Sequence, residues 1–209
     1  MYLILYSRNF QNDDLMHIHK FATTMLSKDQ LIKEISQTLG KTKVLKMCRI
    51  LKEQHFSLRD IIDITFHTDK VIAFRAAWML ETILIQDPES YPDELEYLIS
   101  RFKEVNNPSC MRHYTKIIMH MTDAHAPESI RIKLQSIDME PVVEQLFDWM
   151  IDPKVKVAVK SFAGKALFNL KDKFPWIEEE LASQLEFLMR DGSAGMQAGG
   201  KKILKEIKK

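Results

Sequence analysis

Glycine and proline are scarce in this chain, at six and seven residues in 209. Most stand at interruptions between stretches rich in Leu, Ile, Met, Glu and Lys, so the chain is free to run in helices. Cysteine is scarcer still. Cys48 and Cys110 have no close partner in sequence, which argues against a disulfide framework and reads as two reduced thiols at or near a core, in a reducing compartment. Neither sign of charge dominates. Against 30 Lys and Arg stand 29 Asp and Glu, so the net charge of +1 removes any global nucleic-acid signal, and a basic surface must come from arrangement. No apolar run approaches the length of a membrane span. Met1 to Tyr6 is apolar but short, and no basic leader or small-residue cleavage pattern follows it. The expectation is a cytoplasmic protein with no membrane partner.

Reactive motifs are missing too. There is no Gly-x-Ser-x-Gly elbow, and Ser109-Cys110 opens a helix without a histidine fixed beside it. Gly192, Gly195, Gly199 and Gly200 lack the spacing and the preceding strand of a phosphate loop, and read instead as a tight corner with close packing. His17 and His19, with Asp13 and Asp14, match a metal set by residue type, but histidines two apart diverge on a helix. His113 and His120 share a face, with Asp123 and His125 nearby. A metal needs ligands converging at about 2.0–2.2 Å, which spacing alone does not establish. No catalytic group, metal or cofactor is expected.

What the chain does have is helical periodicity over a hydrophobic fraction of 45%, ample for a core. Five helix pairs are expected. The first is Gln30 to Leu39 with Lys43 to Glu53, broken at Gly40; the second is Ser57 to Phe66 with Val71 to Gln86. The third is Asp93 to Val105 with Ser109 to Met121, turning at Asn106-Asn107-Pro108. Pro141 to Ile151 with Lys154 to Leu170, and Trp176 to Met189 with Ala194 to Ile207, complete the set. Breaks this short predict antiparallel neighbours within each pair. The domain reading is an N-terminal extension or cap over 1–26 and a repeat domain over 27–209, with an insertion at 122–139 carrying one short helix near Ser129 to Gln135. Tyr2 to Tyr6 reads equally as a short strand, a packed extension or sequence upstream of the true start.

The second helices repeat one another. Leu80, Ile117, Leu167 and Leu204 fall at separations of 37, 50 and 37 residues, and Ala76, His113, Ala163 and Gly200 precede them by four. Positions four apart share a helix face, so a small residue followed by a large one recurs as a contact seam. The insertion accounts for the long interval. The tryptophans Trp78, Trp149 and Trp176 lie in or near apolar faces and read as packing residues, and the twelve methionines as adaptable core filling.

Two segments carry a family resemblance. Val71-Ile72-Ala73-Phe74-Arg75-Ala76-Ala77-Trp78-Met79-Leu80 follows Asp69, and Val155 to Leu167 follows Asp152-Pro153. An aspartate or proline corner before a valine, basic and alanine-rich run, on a period of about 40 with two helices per unit, resembles the HEAT and armadillo-like repeats. The resemblance covers Leu26 to Ile207, weakest at Cys110 to Tyr114 and at the insertion. It implies an all-α, right-handed α-α superhelix of about five pairs, whose second helices line a concave inner surface. Such families are mostly scaffolds. A nucleic-acid-binding branch that recognises alkylated DNA is similar in architecture; Trp78, Trp149 and Asp152 match it by residue type only, and no catalytic role carries over.

Charge then singles out a surface. Cations concentrate in the second helices, at Lys46 and Arg49, Arg112 and Lys116, Lys156 and Lys160, and Lys201, while Asp93, Glu94, Glu144, Asp148 and Glu178 to Glu180 weight the first helices. The expected function is a non-catalytic, monomeric interaction scaffold presenting this strip to an acidic protein partner, with nucleic acid as the alternative.

Overall fold

The computed structural model describes residues 25–37, 40–53 and 56–208. The expected N-terminal cap, except for residues 25 and 26, and the cluster of Asp13, Asp14, His17 and His19 lie outside the described residues. Among the described residues, helices α1 (Lys28–Gln37) and α2 (Gly40–Glu53) come first, followed by α3 (Leu58–Ile64) and α4 (Lys70–Gln86). Next are α5 (Leu95–Ser100), α6 (Pro108–Met121) and α7 (Glu128–Ser136). Helices α8 (Glu140–Ile151), α9 (Val157–Leu170), α10 (Ile177–Arg190) and α11 (Ala194–Ile207) complete the chain.

Local chemistry sets these starts. The Ser57 hydroxyl accepts the amide of Asp60 at α3, Asp69 accepts those of Val71 and Ile72 at α4, and Ser193 accepts that of Met196 at α11. Asn107 caps α6 with Pro108 at its opening turn, where the missing N–H has no helical acceptor to lose. Gly40 has φ +76°, a backbone state that side-chain-bearing residues rarely enter, and so permits the corner into α2.

The fold is a stack of helix pairs. Each second helix packs on the next, in the order α2, α4, α6, α9, α11. The repeating seam runs through this spine: Leu80, Ile117, Leu167 and Leu204 are all buried, and so are Ala76, His113, Ala163 and Gly200. Gly200 marks a close approach of two helices, whereas His113 fills the corresponding place in α6. A Cβ at Gly200 would stand 2.6 Å from the Met189 sulfur of α10. One continuous core results, with both cysteines buried in it.

Two regions depart from simple pairing. The first helix of the third pair, expected to run unbroken from Asp93 to Val105, is a 3-10 turn at Pro92–Glu94, then α5, then a second 3-10 turn at Phe102–Glu104. Tertiary contacts override the periodicity here. Phe102 is pulled into the core against Trp149 at 5.0 Å, while Arg101 lies over the Phe66 ring at 4.4 Å and ion-pairs with Asp63 at 2.8 Å. In the inter-repeat segment, α7 buries Ile130 and Leu134. Lys173 holds its end, its ammonium donating to the carbonyls of Leu134 and Ile137 at 3.0 and 2.9 Å.

Candidate functional site

Three successive second helices, α4, α6 and α9, enclose a cavity of about 460 Å³. Phe74, Trp78 and Glu81 come from α4; Pro108, Ser109, Arg112, His113 and Lys116 come from α6; Lys156, Ala158 and Val159 come from the start of α9. Helical spacing puts these groups on one side. Phe74, Trp78 and Glu81 are separated by four and three residues, as are Ser109, Arg112 and Lys116 in the reverse order.

The floor is a buried charge cluster. Glu81 is 8% exposed and lies between two donors, His113 Nδ1 at 2.6 Å from Oε2 and Lys116 Nζ at 2.6 Å from Oε1. Burial alone pushes the Glu81 carboxyl up, but the hydrogen bonds from His113 and Lys116, with the Coulombic pull of both, outweigh it and leave the group below its ordinary value. An ionised carboxylate has only acceptors to offer, so Nδ1 of His113 carries the hydrogen. The imidazole is also fixed from the side, 6.4 Å from the Trp78 ring at an interplanar angle of 18° and 5.3 Å from Phe74. His113 is thus oriented by three contacts from one helix, with Glu81, Trp78 and Phe74.

The mouth differs from the floor. Lys116 is neutralised by Glu81, whereas Arg112 and Lys156 are exposed and have no ion pair among the described residues. Lys156 also occupies the N-cap of α9 without a side-chain cap bond, where an acceptor side chain is the usual choice. Positive charge at that end of a helix is unfavourable, and an incoming anion relieves it.

Of the cations expected on one strip, Arg112, Lys116 and Lys156 therefore meet at one cavity. Lys46 and Arg49 are exposed on α2, and Lys201 is exposed on α11, none of them lining it. Lys160 departs from the surface expectation: it is 7% exposed, and burial lowers its ammonium pKa despite the opposing charge of Asp152. Glu81 and Phe74 were not singled out by the sequence. Glu81 is the sole acid in α4, within an otherwise apolar stretch, and that isolation was the available signal.

Other candidates separate in space. His120 lines a different cavity, of about 190 Å³, with Asp123 and His125, and burial and then the charge of Lys116 lower its pKa. His125 is bonded to Asp123 at 2.9 Å. Among the described residues, no group of three or more His, Cys, Asp or Glu side chains is placed to hold a metal ion. Trp149 is core, Asp152 accepts the Lys154 amide at 2.8 Å, and only Trp78 of that trio lines the central cavity. A cavity of about 590 Å³ at the corners before α4 and α6 contains Cys110, but burial pushes that thiol up to about 12, so it is no thiolate nucleophile. Among the described residues, no helix is long and apolar enough to cross a membrane.

A family model described as a HEAT repeat domain matches residues 31–207. No curated protein and no solved structure matches the chain.

Proposed function

The chain belongs to the HEAT repeat domain family, and from that premise we propose that it is a non-catalytic interaction scaffold that holds an acidic segment of a partner protein. In this reading the second helices form the inner, concave wall of a right-handed superhelix, and the partner runs across α4, α6 and α9. The observation that carries it is the cavity joining those three helices, with Arg112 and Lys156 making no ion pair among the described residues at its mouth while Lys116 is neutralised at its floor. An excess of one sign of charge at a cleft raises the local concentration of oppositely charged ligand even when the whole chain is nearly neutral.

The half-buried rings of Phe74 and Trp78 add contact area beside the charges. Aromatic and arginine side chains contribute disproportionately at protein interfaces, and both types are present at this cavity. The nucleic-acid reading draws on the same cations, but of its residue-type matches only Trp78 lines the cavity. It therefore ranks second.

Anisotropy of a labelled polyglutamate peptide titrated with the full chain tests the proposal. Binding is expected to weaken with added salt, because screening shortens the reach of exposed charges. Replacing Arg112 and Lys156 together by Glu is expected to abolish it with the thermal midpoint retained. Lys160 is excluded from the variant because it is buried. Unchanged affinity in the double variant overturns the proposal, and tighter binding of a single-stranded oligonucleotide with a steep salt dependence favours nucleic acid instead.

A further inference from the structure

The central cavity has more structure than an acidic strip requires. Its wall is apolar and aromatic, made by Phe74, Trp78, Pro108, Ala158 and Val159, while its mouth carries Arg112, Lys156 and the Ser109 hydroxyl. The first turn of α9 opens at the same mouth without a side-chain cap. The donors there are a guanidinium, an ammonium, a hydroxyl and uncapped amides, and among the described residues neither cation is paired.

We propose that this cavity is a phosphotyrosine site, taking one phosphorylated tyrosine side chain from the acidic partner. The inference rests on the scaffold reading and names the residue that anchors it. A carboxylate offers two oxygens and a single charge. A phosphomonoester brings three acceptor oxygens and a charge of about −1.5 to −2 at neutral pH, which matches the two cations at the mouth and the helix end without a side-chain cap. Arginine is the cation whose planar fork grips phosphate in two parallel bonds, and Arg112 is the one at the mouth.

The wall selects the carrier. A phosphoserine stem is too short to cover Phe74 and Trp78, whereas a phenyl ring lies against them and removes apolar surface from water. The volume of about 460 Å³ lies within the range of small-ligand sites. Glu81 does not repel the phosphate at full strength, because both of its oxygens are already engaged by His113 and Lys116.

The test uses the full chain and three glutamate-rich peptides that differ only at a central phosphotyrosine, tyrosine or phosphoserine. Anisotropy gives affinity, and quenching of tryptophan fluorescence reports occupancy beside Trp78. The phosphotyrosine peptide is expected to bind about tenfold or more tighter than either counterpart, the scale of one to two charge-assisted bonds. That advantage is expected to collapse in Arg112→Gln/Lys156→Gln, checked by an unchanged melting midpoint, and to persist in Lys201→Gln. Trp78→Phe is expected to lose the quenching while retaining most of the affinity. Equal affinity for all three peptides overturns the phosphotyrosine site and leaves the scaffold reading standing. Binding of phosphotyrosine amide alone, with no binding of the tyrosine peptide, supports the site and overturns the acidic-segment reading. Displacement of the phosphotyrosine peptide by a single-stranded oligonucleotide with a steep salt slope overturns the assignment to protein.

Discussion

The two sides of the helix stack use charge differently. Across α3 and α5, Asp63 receives Lys28 at 2.9 Å and Arg101 at 2.8 Å, and Arg101 continues to Glu104 at 2.6 Å. Arg59 pairs with Glu94 and Lys103 with Glu144 on the same side. Across α4, α6 and α9, Glu81 takes up Lys116 and His113, and Arg112 and Lys156 make no ion pair among the described residues. A near-neutral chain can thus tie up its charges within one surface and leave them open on another. Interaction capacity follows from that placement, not from net charge.

The comparison can be broken in graded steps. The largest effect belongs to the spine common to both sides: Leu167→Ala, at a fully buried seam position, is expected to cost about 2–5 kcal/mol and to lower the thermal midpoint clearly. Glu81→Gln comes next, at about 1–3 kcal/mol by chemical denaturation, because it removes the charge and one of two buried acceptor oxygens, so that either His113 or Lys116 faces an amide donor. Its cost depends on pH. The folded-state pKa of Glu81 lies below the ordinary value of 4.5, so the wild-type advantage is complete above that value and is lost as pH falls through the depressed one. A difference between wild type and variant that persists undiminished into strong acid contradicts the paired, ionised Glu81.

On the opposite side, Asp63→Asn is expected to cost less, about 0.5–1 kcal/mol, since its partners are partly solvated and screened. Smallest of all is Arg112→Gln/Lys156→Gln, expected to change stability by no more than about 0.5 kcal/mol, because these exposed side chains make no ion pair within the described fold. If this variant instead destabilises the protein as much as Asp63→Asn, the asymmetry between the two sides fails. Denaturant midpoints of the four proteins in one buffer give the ranking.

Much of the stack is legible in the sequence because its signal is repeated. The small-then-large spacing of Ala76 with Leu80 and Ala163 with Leu167 recurs in buried positions, and the breaks at Gly40, Asn107-Pro108 and Gly192-Ser193 fall at helix boundaries. What was not legible came from contacts between distant residues. The run before Val105 has helical periodicity, yet the pull of Phe102 inward and Arg101 toward Asp63 breaks it into short turns. Lys160 has the charge of a surface residue, yet it is buried on α9, the helix that packs against α6, α8, α10 and α11. At the cavity, Arg112, Lys116 and Lys156 could be named from charge alone. Glu81 could not, because its partners are more than thirty residues away.

Hydrogen exchange of the full chain with and without a saturating glutamate-rich peptide bears most directly on the scaffold reading. The account predicts slowed exchange in the first turns of α6 and α9 and no change in α1, α3 or α5; protection confined to α1, α3 and α5, with the turns at Pro108 and Val157 unaffected, contradicts it.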